Sequence, residues 1–306
     1  MGSTPFLSQE EREHDKLVQR GHLEEILMAP LQSPIVEDKK TPYIETLRTK
    51  GVVRIDQILT NDIADAMYDY VQDLKQQLIQ QNSTDRFAKV LLHHHRYDLK
   101  LTLGPPPVQA TLASLFSLSS PVRHVFQSLL GSNAILYELS CLLSNPGSQR
   151  QNIHPDRRQE DPLTYTCFVA LSDITITMGP TVWIPTTHTN HHDQFQSIRI
   201  MDEWDTESPK DRLLRTKPSV VGILSKGSCV MFDARLLHCG GANSSQQSRA
   251  LFYISFQQYT TQQSNSGSLV NELRKEFLQF SELCNRCVER DDDVTSPIVP
   301  AFSRIP

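Results

Sequence analysis

The chain has 306 residues and a net charge of −5, with 30 Lys and Arg set against 35 Asp and Glu and both signs scattered along its length. That balance excludes a nucleic-acid binder that relies on neutralising phosphates, and no apolar run approaches the roughly 20 residues of a membrane-spanning helix. The amino terminus, MGSTPFLSQEEREHDK, lacks the apolar centre of a secretory signal, so the expectation is a soluble cytoplasmic protein with no membrane or nucleic-acid partner.

Two further addresses are set aside. MGSTPF breaks the myristoylation pattern at Phe6, and the terminal SRIP is not a peroxisomal tripeptide. Six cysteines stand at 141, 167, 229, 239, 284 and 287, four of them inside apolar or strand-like runs, which suits buried reduced thiols. Only Cys284 and Cys287, in CNRC, form a C-x-x-C pair. A zinc ribbon needs a second such pair, so a helix carrying two thiols is the better reading.

In chain order, residues 1–40 read as a docking helix or partly ordered arm. Residues 41–133 read as a mostly helical flank. In it GVVRI is a short strand, and Thr60 or Asn61 caps a long helix with Ile63, Ala66, Met67, Val71 and Leu74 on one stripe. RYDLKLTL alternates like a strand and stops at three prolines, with Arg96 and Lys100 on one face, read as a solvated edge or as a reach toward an anionic ligand. PVRHVFQSLL is a helix ended by Gly131, and His93, His94 and His95 form a solvated loop, since three adjacent side chains cannot converge on one ion.

From residue 134 to about 260 the character changes. AILYELSCLL, QNIHPD, TYTCFVALSD, TVWIP, SVVGIL, SCVMFDARLLH and RALFYISFQQ are short β-like runs parted by turns, pointing to a sandwich or barrel with a helical flank. A polar segment at 193–218 interrupts them, and insertions of this kind often cover a site. Residues 261–306 read as a helix and tail, and the whole chain as a single domain.

His154 and Asp156 share a strand face and can chelate one metal, whereas Ile153 and Pro155 point away. A third candidate ligand is His238, which closes a strand before a glycine turn. Two histidines and a carboxylate on a rigid barrel, with other positions open, make the facial triad of non-haem iron(II) oxygenases. The open positions suit dioxygen and a dicarboxylate co-substrate, and Arg249, eleven residues after His238 on an apolar strand, is placed to pair with its far carboxylate. His188, His191 and His192 read as surface or substrate-loop residues because the triad is already complete. Trp183 and Phe168 read as barrel-lining.

The ordered set NPGSQRQNIHPD, ALSDITITMGPTVWIPTTH, then HCGGANSS with SRALFYISFQ resembles the phytanoyl-CoA hydroxylase-like family of Fe(II)- and 2-oxoglutarate-dependent dioxygenases over roughly residues 134–258. H-x-D alone is a weak signal; the three motifs in order are specific. The resemblance implies a double-stranded β-helix, or jelly roll, mainly β with a helical flank. It implies Fe(II) on His154, Asp156 and His238, 2-oxoglutarate held by Arg249 with Gln151 and Thr181 as further contacts, and O2 as oxidant. The expected reaction is hydroxylation of a C–H bond in a small organic substrate such as a lipid or natural product, with succinate and CO2 released, by a monomer or homodimer.

IPTTH departs from the family's usual PGSH, so that Thr186 and Thr187 replace glycine and serine. Halogenating relatives carry a small residue at the Asp156 position, so the carboxylate here argues against halogenation. The rival readings are a non-catalytic jelly-roll protein that binds a metal or small acid, and a zinc hydrolase with the same ligands.

Overall fold

The structure, a computed structural model, describes residues 28–31, 40–83, 85–87, 95–189, 217–260 and 278–288. The described strands form two sheets. The smaller follows the order β1 (Met28–Pro30), β7 (Ser219–Val221), β6 (Thr181–Trp183), β9 (His238–Gly240). The larger follows the order β2 (Val52–Ile55), β8 (Cys229–Asp233), β5 (Thr164–Ala170), β10 (Arg249–Gln257), β4 (Ile135–Ser144), β3 (Arg96–Lys100). All pairings in the larger sheet are antiparallel. This is the expected jelly roll, built from β-branched and aromatic runs such as TYTCFVA and RALFYISFQ that pack well on a pleated surface.

Strand alternation divides the larger sheet into two faces. The outer face, with Leu139, Cys141, Leu143, Phe252 and Ile254, is covered by the helices. These are α1 (Lys40–Lys50), α2 (Asn61–Gln80), α3 (Pro106–Phe116), α4 (Pro121–Leu130) and α5 (Phe280–Val288). Phe116, Phe126, Phe256 and Phe280 meet edge-on or tilted, the Phe256–Phe280 centroids 5.0 Å apart. Such pairs contribute roughly 0.5–1.5 kcal/mol each beyond burial, and here they fasten α5 to the sheet. Cys284 and Cys287 are buried in the same cluster and form no disulfide, in keeping with the structural reading of CNRC.

The inner face, with Leu142, Phe168, Phe232, Leu251 and Tyr253, looks across at Trp183 of the smaller sheet, whose ring lies 5.7 Å from that of Phe232. Trp183 and Phe168 therefore line the interior, as expected.

Several local expectations are corrected. The amino-terminal arm supplies β1, which pairs in parallel with β7, whereas the strands expected in GVVRI and RYDLKLTL do form, as β2 and β3 of the larger sheet. Helix α2 is capped by Thr60, but its buried stripe runs Ala64, Met67, Val71, Lys75 and Leu78; Ala66 is exposed. The three prolines after β3 open a helix: Pro105 is the N-cap of α3, and Pro106 and Pro107 occupy positions where no N–H is needed. The segment QNIHPD is one isolated bridge and not a strand. His93, His94, His191, His192, residues 193–216 of the polar insertion, and the tail beyond 288 lie outside the described residues. Among the described residues, no helix is long and apolar enough to cross a membrane.

Candidate active site

His154 is docked on β9 by a reciprocal pair of backbone bonds, His154 N–H to the His238 carbonyl at 2.9 Å and His238 N–H to the His154 carbonyl at 3.0 Å. The two imidazoles are thus fixed side by side, their centroids 4.7 Å apart. Two residues on, the Asp156 N–H bonds the Ala234 carbonyl at 2.8 Å, which turns its carboxylate to the same point.

Each imidazole Nδ1 faces a backbone carbonyl, Asn152 at 2.6 Å for His154 and Leu236 at 2.9 Å for His238. A carbonyl only accepts, so each imidazole, when neutral, carries its proton on Nδ1 and presents the Nε2 lone pair. Those Nε2 atoms lie 3.8 Å and 3.6 Å from the two Asp156 carboxylate oxygens. The three donor atoms all lie within 4.8 Å of one another, a spacing one cation can bridge. His238 is buried, while His154 and Asp156 are 37% and 40% exposed in their side chains, so the cluster opens on one side.

The residues expected to hold a dicarboxylate gather around a glycine turn. Arg249 pairs with Ser144 of β4, and Ser144 pairs with Arg96 of β3, so the register sets the two arginines either side of one serine. Arg249 Nη1 donates to the Gly179 carbonyl and Nη2 to Ser144 Oγ at 3.1 Å. Arg96 Nη2 donates to the carbonyls of Gln149 and Gly241 at 2.8 and 2.9 Å.

Thr181, buried on β6, pairs with Gly240, and the Gly240 N–H donates to Gln151 Oε1 at 2.9 Å. A Cβ on Gly240 would stand 2.5 Å from Arg96 Nη1 and 2.6 Å from Gln151 Oε1. Arg96, Gln151 and Thr181 therefore converge on Gly240.

Neither arginine has a carboxylate partner among the described residues, and Arg249 Nε and Arg96 Nε and Nη1 are buried without a hydrogen bond. Burial lowers the Arg249 guanidinium well below its ordinary range, with the Arg96 charge adding to the effect, and burial brings Arg96 down to about 10. Two buried like charges with idle donors are costly unless an anion completes them. The donor set thus fits a bound carboxylate as well as a metal.

Arg96 and Lys100 are not on a solvated edge. They are 1% and 3% exposed and point inward. Lys100 Nζ contacts Asp98 Oδ2 at 3.0 Å, Tyr253 Oη at 3.3 Å and Glu138 Oε1 at 3.4 Å. Burial opposes its charge, but the Glu138 and Asp98 carboxylates outweigh it and raise its pKa. Burial raises the Glu138 carboxyl, Lys100 opposes the rise, and the Asp98 and Asp156 charges add to it.

Asp98, Glu138 and Tyr253 were not singled out from the sequence. The available signal is Glu138, a lone charge within the apolar run AILYELSCLL, and the i, i+2, i+4 spacing of Arg96, Asp98 and Lys100. His188 is also corrected: it is buried, with Nε2 3.1 Å from the Arg48 carbonyl. Thr186 adopts φ +72° and so keeps the backbone conformation that a glycine serves more easily. Thr187 Oγ1 accepts from the Leu237 N–H at 3.0 Å, tying this loop to the strand that carries His238.

Comparison with known proteins bears on this arrangement. The family model described as Phytanoyl-CoA dioxygenase (PhyH) matches residues 47–251. Among curated proteins there is no match to the chain. Among solved structures, AviO1 from Streptomyces viridochromogenes is similar at TM-score 0.56 and 16% identity, covering 76% of this chain and 100% of that one. The carbocyclase SnoK from nogalamycin biosynthesis matches at TM-score 0.53 and 14% identity, over 74% of this chain and 87% of its own. The epimerase SnoN, in complex with Fe3+, alpha ketoglutarate and nogalamycin RO, matches at TM-score 0.51 and 17% identity, over 71% and 83%. At these identities the structures establish a shared fold.

Proposed function

The chain belongs to the phytanoyl-CoA dioxygenase (PhyH) family, and from that premise we propose that it oxidises a C–H bond of a small organic molecule, hydroxylation being the default outcome. It is an oxidoreductase dependent on iron(II), 2-oxoglutarate and dioxygen. When bound, these supply an oxidant strong enough to take a hydrogen atom from an unactivated carbon, with succinate and CO2 as co-products.

The observation that carries the proposal is the pair of Nδ1-protonated imidazoles, whose Nε2 atoms stand within 4 Å of one carboxylate. In this reading His154 and His238 are neutral ligands, and Asp156 supplies the one negative charge. Their backbone tethers hold them in place before the metal arrives, so little ordering remains at binding.

Arg249 and Arg96 hold the far carboxylate of 2-oxoglutarate. Their inward guanidiniums offer idle N–H donors in the fork geometry a carboxylate matches. Gln151 gives its carbonyl oxygen to Gly240 and so leaves its amide Nε2 to the co-substrate, while Thr181 adds a hydroxyl from β6. Phe168, Phe232 and Trp183 form an apolar wall that excludes water from the reacting centre. Two similar structures come from nogalamycin biosynthesis, an epimerase and a carbocyclase. A natural product is accordingly the substrate class favoured here, and the substrate's pose decides which C–H bond reacts.

The test is conversion of 2-oxoglutarate to succinate by the iron-loaded protein, with and without oxygen. Oxygen-dependent succinate formation that disappears in His238→Ala supports the reading. Turnover of esters or amides that proceeds without oxygen would instead identify a zinc hydrolase.

A further inference from the structure

The inner wall of β3, β4 and β10 carries more ionisable groups than metal and co-substrate use. One row holds Arg96, Ser144 and Arg249; further along the same face come Asp98, Lys100, Tyr253 and Glu138. Lys100 is saturated, its three ammonium protons meeting Asp98, Glu138 and Tyr253 at 3.0, 3.4 and 3.3 Å. It has nothing left for an anionic ligand. Tyr253 donates its own proton to Asp98 Oδ1 at 2.9 Å, which closes that side of the network.

Glu138 differs from the others. Its side chain is 30% exposed, whereas Lys100 is 3% and Asp98 13% exposed, so it is the most accessible of the three. Its Oε1 accepts from Lys100, and its second oxygen has no hydrogen bond among the described residues. The register explains the presentation. Ser255 pairs with Glu138 but Phe256 pairs with Leu136, leaving Tyr137 as an extra residue in a β-bulge that re-aims the strand at this point.

The charges of this wall and of the metal cluster together would balance once the site is loaded. Arg96, Arg249 and Lys100 offset Asp98, Glu138 and Asp156, and iron(II) offsets the 2-oxoglutarate dianion; Arg157, just past the triad, is paired with Asp161 at 3.5 Å. A charged substrate would enter this interior without a counterion. A purely aliphatic one would cover the Glu138 carboxylate and leave its free oxygen desolvated and unpaired, an arrangement that discriminates strongly against groups lacking a donor.

We propose that Glu138 is the specificity-determining residue of this enzyme, and that it selects an uncharged substrate whose hydroxyl or amide N–H it accepts beside the metal, the rest of the substrate being apolar. This rests on the dioxygenase reading above. Phe168, Leu142 and Leu251 supply apolar surface further along the same face. A plain fatty-acyl chain is therefore not the group oxidised.

The test uses anaerobic protein loaded with iron(II) and 2-oxoglutarate, and four probes on one skeleton: 4-phenylbutan-1-ol, its methyl ether, 4-phenylbutanoate and 4-phenylbutylamine. Binding is read by calorimetry in wild type, Glu138→Gln and Glu138→Leu, with folding checked by thermal melts. Wild type is expected to bind the alcohol at least tenfold tighter than the ether, the acid or the amine. Glu138→Gln, which keeps an acceptor oxygen, retains a preference for the alcohol over the ether, and Glu138→Leu brings the two within threefold.

An ether that binds wild type as well as the alcohol, with no binding of either counted as equality, overturns the proposal. So does a charged probe that binds tightest, or a Glu138→Leu protein that keeps the preference. The visible band of the iron–2-oxoglutarate chelate is recorded in the same samples. Its absence from wild type overturns the dioxygenase reading, whereas its presence with equal alcohol and ether binding overturns the Glu138 assignment alone.

Discussion

Replacing Gly240 by alanine tests whether Arg96 holds the co-substrate. The added Cβ would lie 2.5 Å from Arg96 Nη1, whereas an ordinary contact is about 3.5 Å, so the guanidinium must retreat by about 1 Å. Retreat stretches its bonds to the Gln149 and Gly241 carbonyls, now 2.8 and 2.9 Å. Both obstructing atoms, Arg96 Nη1 and Gln151 Oε1, are ends of flexible side chains, so the sheet accommodates the change at a cost of about 1–3 kcal/mol. A misplaced charge-assisted hydrogen bond to the co-substrate costs about 1.5–3 kcal/mol, or roughly 10- to 100-fold in 2-oxoglutarate affinity. The assay is anaerobic calorimetric titration of the metal-loaded protein with 2-oxoglutarate, in Gly240→Ala, Arg96→Met and the double variant. If the alanine acts through Arg96, the double variant binds no more weakly than Arg96→Met alone. Affinity within twofold of wild type in Gly240→Ala, or fully additive losses in the double variant, would refute this reasoning.

Three further outcomes follow from the same structure. Gly179→Ala is expected to fold poorly, because its Cβ would meet the Ala242 and Gly241 backbone oxygens at 2.3 and 2.4 Å with φ at +65°; soluble protein with a wild-type melting temperature would contradict this. Thr186→Gly relieves a β-branched residue at φ +72° and should stabilise by about 0.5–1 kcal/mol, read as a rise of about 1–4 °C in the thermal midpoint; a fall would contradict it. Lys75 is buried on α2 against Tyr97, and burial lowers its ammonium below the ordinary 10.5, so the folded state loses this proton at lower pH than the unfolded chain does. The unfolded state binds more protons across that window, and stability rises with pH through it. Urea melts should show Lys75→Met more stable than wild type at pH 7, the gap narrowing as pH approaches 10.5; a gap that does not change with pH would show that the proton plays no part.

The sandwich was legible because its strands are short apolar runs with turn residues between them. The triad was legible because H-x-D and the later H-C-G-G are local patterns. The edges were not. β1 exists only through its pairing with β7, far along the chain, and nothing within MAP signals a strand. The inward direction of Arg96 and Lys100 depends on whether β3 is an edge open to solvent or a wall facing the smaller sheet, which periodicity alone does not decide. The α3 prolines were read as a stop, although proline at the first helical positions is equally a start. Glu138 was hidden because the bulge that aims it is a property of the pairing with β10 and not of the β4 sequence.

The central claim is that His154, Asp156 and His238 hold an iron that chelates 2-oxoglutarate. The most direct measurement is anaerobic addition of Fe(II) and then 2-oxoglutarate to wild type and to His154→Ala, followed by visible absorption. The account predicts a weak charge-transfer band in wild type alone, bleached on admitting oxygen. Absence of the band in folded, metal-loaded wild type, or a band of equal strength in His154→Ala, would contradict it.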